Sequence, residues 1–174
     1  KKLREQTQFE LMNLQSELNM TFIVVTHDQE EAMTLSSRIA LMNKGEFIQI
    51  GSPSQIYETP INRYTADFFG SINFFDGEII SQDQKTKKTI AKLQSCNSLI
   101  YGQSNQQFDT KDAVIIGVRP EKIAINVKKP LDNEVSVIEG KIEGLAYYGD
   151  RNLYRIRTEK HGIILASSQN FERS

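Results

Sequence analysis

The stretch Thr21-Phe22-Ile23-Val24-Val25 constrains the fold of this chain more than any other. It has no apolar/polar alternation, so a strand here would be covered on both faces, as in the parallel sheet of an α/β protein. It ends abruptly in Thr26-His27-Asp28 and turns at once into helix formers. Asp28 reads as an N-cap with Glu31 three residues on, the spacing of a capping box, and both acids favour the positive end of a helix. A strand, a tight turn and a helix in this order put His27 beyond the carboxyl end of a strand, where ligands bind in open α/β sheets. A neutral imidazole there can hydrogen-bond a terminal phosphate. By spacing alone, a lone histidine is more often a polar structural residue, because reactive sites need several converging groups.

The flanking sequence extends the α/β pattern to about residue 70. Residues 2 to 18 read as an amphipathic helix with Leu11, Leu14 and Leu18 on one stripe, Leu3 about two turns before it, and Asn19 as a left-handed cap. Arg38 to Asn43 and Phe47 to Ile50 read as a hairpin about Asn43-Lys44-Gly45-Glu46. Ser52-Pro53 starts a short helix through Tyr57 that Pro60 stops, and Asn62 caps another that ends near Phe69 and Gly70. Beyond Gly70 helical periodicity vanishes. Short β-rich stretches near 74 to 80, 88 to 93, 113 to 118, 122 to 127, 135 to 145, 151 to 157 and 162 to 167 predict a small all-β domain, for which an OB-like barrel is one solution. The segments Ser81 to Lys88 and Gly102 to Asp112 read as solvated connections. The predicted organisation is therefore residues 1–70 and residues 71–174.

Charge and composition narrow the function. Lys and Arg (21) nearly cancel Asp and Glu (22), without the basic excess of a chain that binds nucleic acid through its phosphates. The single cysteine, Cys96, has no intramolecular partner for a disulfide and points to a reducing compartment. The longest apolar runs are about five residues, against the roughly 20 that span a bilayer. A metal-dependent phosphohydrolase built on His27-Asp28 would need further ligands, and the other histidine, His161, precedes Gly162 in a predicted hairpin turn, so no metal site is expected. His161, Cys96 and Met12, Met20, Met33 and Met42 read as packing or surface residues.

The longer string decides what spacing leaves open. TFIVVTHDQEEAM followed by SSRIALMNKGEFIQIGSPSQIYETPINRYTADFFG closely resembles the C-terminal part of the nucleotide-binding subunit of ABC importers, and KKLREQTQFEL is similar to the family's helix directly after the segment that contacts the partner subunit. The resemblance implies the C-terminal piece of a P-loop nucleotide-binding domain over residues 1–70. It also implies that His27 is the switch histidine, which contacts the γ-phosphate of ATP. VIIGVRPEKIAI (114–125) and YYGDRNLYRI with GIILASSQN resemble the transport-associated OB domain that follows the ATPase in this subfamily. Pro120 biases Arg119 toward an extended conformation that aims the guanidinium off a strand end, toward Glu121 or a facing carboxylate. A structural or interdomain role is expected for Arg119, Pro120 and Glu121, against the alternative of an exposed ion pair of little worth.

FFGSINFFDGEI (68–79) resembles the domain junction of spermidine/putrescine importers, with iron(III) and sugar importers as alternatives. The resemblance implies ATP and Mg²⁺ as cofactors of the full-length subunit. It further implies a second copy of that subunit, membrane permease subunits and, indirectly, a solute-binding protein as partners, at the cytoplasmic face of the membrane. No G-x-x-x-x-G-K-[ST] string, LSGGQ signature or acidic Walker B strand end occurs in the sequence. The chain is accordingly expected to be a C-terminal piece that does not hydrolyse ATP alone, with apolar edges at 21–25 and 38–43 seeking cover. A stand-alone OB-type module for single-stranded nucleic acid is the competing class, disfavoured because the aromatics near Phe74, Tyr147 and Tyr148 lack a concentrated basic groove.

Overall fold

A computed structural model describes residues 2–95, 98–127 and 135–170, with side chains in the first helix from residue 6 onward. Cys96 and the side chain of Leu3 lie outside the described residues. The contacts divide the chain into two compact units, Lys1–Gly70 and Ser71–Ser174. The first opens with α1 (Lys2–Leu18), and Asn19 leaves it with φ 49°, the left-handed conformation that Asn tolerates. The apolar stripe of α1 is not buried: Leu11 is half-buried, whereas Phe9, Leu14 and Leu18 are exposed.

Residues 21–25 are the main departure from the sequence reading. They form no strand, and they belong to none of the three sheets among the described residues. A strand needs a second row of main-chain groups to pair with, and residues whose apolar pattern suits a doubly covered strand are left extended when no neighbour is beside them. Ile23 and Val25 are accordingly 90% and 95% exposed.

After α2 (Gln29–Leu35), β1 (Ile39–Asn43) and β2 (Glu46–Gly51) pair antiparallel, with an irregularity between Leu41 and Met42. Lys44 and Gly45, with φ of 50° and 84°, make the two-residue turn whose twist matches the right-handed twist of the strands it joins. Ser52 caps α3 (Pro53–Glu58) through a full capping box: Gln55 N donates to Ser52 Oγ at 3.2 Å and Ser52 N donates to Gln55 Oε1 at 2.9 Å. Asn62 caps α4 (Arg63–Phe68) by accepting from Thr65 N, and Gly70 follows at φ 109°. Gln49 on β2 fastens the connection around Pro60, donating to the Thr59 carbonyl and accepting from Ile61 N. Ile39, Leu41, Ile56 and Phe69 form the core of this unit, with Met33 packed against them.

Among its described residues the second unit is all-β apart from one 3₁₀ turn. Its larger sheet has the order β5-β4-β3-β6, from β3 (Asn73–Gln82), β4 (Lys88–Leu93), β5 (Leu99–Gln103) and β6 (Ala113–Val118). The smaller has the order β7-β8-β9, from β7 (Lys141–Tyr147), β8 (Arg151–Thr158) and β9 (Gly162–Gln169). Every pairing is antiparallel. Phe75, Leu93 and Ile164 form a core contributed by both sheets. Buried Asn73 ties the sheets together: its amide donates to Val118 O (3.1 Å) and Leu165 O (2.8 Å), and its Oδ1 accepts from Leu165 N (2.8 Å). Gly149, at φ 88°, makes the turn after Tyr147 and Tyr148.

Three sequence expectations in this unit change. Residues 99–103, of which Gly102 and Gln103 were expected in a connection, form β5 because residues 88–92 lie opposite them in register. Residues 122–127 are not a strand: Pro120–Lys122 is a 3₁₀ turn, since Pro120 withholds an N–H from any ladder, and the chain runs on irregularly. The 135–145 stretch pairs only from Lys141.

Two measurements check this architecture. Thr65 is fully buried and its Oγ1 has no hydrogen-bond partner, so Thr65→Val is expected to raise unfolding stability by about 1 kcal/mol in urea titration. Exposed Ile23 and Val25 predict concentration-dependent self-association of the isolated chain in analytical ultracentrifugation, reduced by Val25→Lys; a monomer at all concentrations would contradict it.

Candidate functional site

The turn that carries His27 is fixed by side chains on either side of it. Asp28, in extended conformation, caps α2: its Oδ1 accepts from Glu30 N (2.8 Å) and Glu31 N (3.1 Å). The reciprocal half of the capping box is rerouted. Instead of reaching the Asp28 N–H, Glu31 accepts the Thr26 hydroxyl proton (Oγ1 to Oε2, 2.7 Å), and Thr26 Oγ1 in turn accepts from Asp28 N at 3.0 Å. His27 is thus the middle residue of a hydroxyl-closed turn, with its side chain exposed while Thr26, Asp28 and Glu31 are half-buried. An exposed imidazole with a fixed backbone has the chemistry of a contact residue: it can give or accept one hydrogen bond to a ligand without reorganising the chain.

Arg119 is not at the surface. It is 5% exposed, and its Nη1 donates to the Ser71 carbonyl at 3.3 Å, which joins the start of the second unit to the end of β6. Its guanidinium is therefore not an exposed group. Pro120 is buried in the 3₁₀ turn and Glu121 sits exposed on it. The structure does not bring these residues into one site with His27 within either unit, since His27 lies in the first and Arg119, Pro120 and Glu121 in the second.

A feature that sequence reading passed over lies at the β8–β9 turn. His161 Nδ1 is hydrogen-bonded to Ser95 Oγ (2.8 Å), and its ring stands edge-on to Phe75 with centroids 5.4 Å apart. No local pattern could have revealed it, because Ser95 is 66 positions away. His161 borders a cleft of about 680 Å³ whose charges are mixed, Glu139, Glu143 and Glu159 against Lys141, Arg157 and Lys160. Within it the Arg157 guanidinium donates to the Glu143 carboxylate, which holds Glu143 below the ordinary carboxylate range and raises Arg157. That balance gives the cleft no basic excess to attract nucleic acid.

Burial, and then the charge of Lys160, push the His161 pKa below the ordinary imidazole value. The unfolded chain binds the proton more readily, so this contribution to stability is complete above the unfolded pKa of about 6.5 and is lost as the pH falls through it. Denaturant unfolding at about pH 8 and about pH 5 is expected to show a loss of stability on acidification that is smaller in His161→Gln.

Residues 116–174 match the family model of the TOBE domain. Over nearly its whole length the chain is similar to ATP-binding proteins of putrescine and spermidine/putrescine import. The particular relatives are polyamine-import proteins. The putrescine transport ATP-binding protein PotG of Escherichia coli is 37% identical across 173 residues, covering 99% of this chain and 45% of the relative. The spermidine/putrescine import ATP-binding protein PotA of Thermobifida fusca is 39% identical over 170 residues, 97% of this chain and 43% of the relative. The protein of the same name from Trichormus variabilis is 39% identical over 158 residues, 90% of this chain and 40% of the relative. The chain spans a little under half the length of the relatives it matches. Among the described residues no helix is long and apolar enough to cross a membrane.

Proposed function

We infer that this chain is the C-terminal portion of the ATP-hydrolysing subunit of an ABC importer for polyamines, the spermidine/putrescine class. In this reading residues 1–70 complete a P-loop nucleotide-binding domain and residues 71–174 form an OB-like regulatory domain. His27 is the switch histidine that contacts the γ-phosphate of ATP. In the full-length subunit ATP is bound with Mg²⁺, and the working unit is a homodimer docked on membrane permease subunits at the cytoplasmic face, served indirectly by a solute-binding protein. The observation that carries the reading is the 37–39% identity to polyamine-import ATP-binding proteins over 97–99% of the chain.

The residues of this chain fit ATP chemistry at one point. When bound, ATP supplies the phosphoryl group and Mg²⁺ neutralises its charge. His27 would be the residue that meets a terminal phosphate oxygen, and Thr26, Asp28 and Glu31 keep the backbone on either side of it in place. A contact that strengthens as charge shifts in the transition state affects turnover more than binding.

The test is His27→Ala in the full-length subunit assembled with its permeases. ATP affinity is expected to stay within about twofold while ATP turnover and putrescine uptake fall about a hundredfold, the cost of losing one donor to developing charge. Unchanged turnover would overturn the role of His27. Normal turnover driven by iron(III) or a sugar in place of a polyamine would overturn the substrate.

A further inference from the structure

We propose that Thr26 is a positioning residue for His27, its hydroxyl acting as the clasp that sets the imidazole's direction during phosphoryl transfer. The inference rests on the reading of His27 as the γ-phosphate contact and adds to it a residue that acts through His27.

The clasp is built from both capacities of one hydroxyl. Thr26 Oγ1 accepts the Asp28 amide across His27 at 3.0 Å, and donates its proton to Glu31 Oε2 at 2.7 Å. The first bond restricts the His27 backbone, because the residues before and after it are joined. The second ties the hydroxyl to α2, whose first turn Asp28 already fastens through Glu30 N and Glu31 N. A charge-assisted O–H···O⁻ bond of this length is the stronger kind, so the hydroxyl has one favoured rotamer. His27 itself is exposed, and no buried neighbour on its own turn steers the ring. The side-chain bonds that span His27 are those of the Thr26 hydroxyl, so the imidazole takes its direction from the Thr26 side. Valine has the shape of threonine and neither hydrogen bond; serine keeps both.

The experiment compares Thr26→Val, Thr26→Ser, His27→Ala and the Thr26→Val/His27→Ala double variant in the full-length subunit, reading kcat, the KM for ATP and the unfolding midpoint. Thr26→Val is expected to lower kcat by roughly tenfold to a hundredfold with KM near wild type, the effect of a misaligned contact. Thr26→Ser is expected to restore most of it. In the double variant the Thr26 substitution is expected to cost nothing beyond His27→Ala, because a clasp has no role once the imidazole is gone. A merely structural role would lower the double variant further, and that additivity would overturn the proposal. Wild-type turnover in Thr26→Val alongside an impaired His27→Ala would overturn it while leaving the reading of His27 intact. Normal turnover in His27→Ala would overturn both. If Thr26→Val does not fold, Glu31→Ala releases the hydroxyl from its other end and is held to the same kcat loss and non-additivity.

Discussion

Main-chain hydrogen bonding decides which apolar segments of this chain become strands. A buried N–H or C=O left without a partner costs about as much as a lost hydrogen bond, so an extended segment needs an adjacent strand, a side chain or water. Within the second unit seven strands find that partner in two antiparallel sheets, and Asn73 supplies the bonds where the sheets meet. In the first unit only β1 and β2 do so. Residues 21–25, as apolar as any strand in the chain, do not.

The site follows from the same constraint. The turn that carries His27 is held by local chemistry: a hydroxyl, two carboxylates and three amides within six residues. Such bonds are short in sequence and form without long-range contacts, so the turn survives beside an unpaired segment. A contact residue of a nucleotide-binding subunit would gain from being preset in this way, since less ordering remains to be done when ligand arrives. The TOBE-matching end of the chain is held differently, through buried Arg119 and Asn73 that link segments far apart in sequence.

Local signals were legible in the sequence and non-local ones were not. The caps at Asp28, Ser52 and Asn62, the Lys44-Gly45 turn and the left-handed Asn19 follow from side-chain chemistry within a few residues, and each is present. Strand status at 21–25 and 99–103 depended on whether a partner lay alongside, which no run of residues states. The burial of Arg119 was hidden for the same reason, because its acceptor, Ser71, is 48 positions away. At the candidate site the Asp28 cap was readable from spacing, and His27 was singled out by resemblance. Thr26 could have been found as well, since a threonine two residues before a helix cap is a recognised way to close a turn. The His161 to Ser95 bond could not.

The central claim is that the imidazole of His27 meets the outermost phosphate of a bound nucleotide. It is tested most directly by an experimental structure of the full-length subunit with Mg²⁺ and a non-hydrolysable ATP analogue. The account predicts a His27 ring nitrogen within hydrogen-bonding distance, about 2.7–3.2 Å, of a γ-phosphate oxygen. A ring turned away, with the γ-phosphate fully coordinated by other groups, would contradict it.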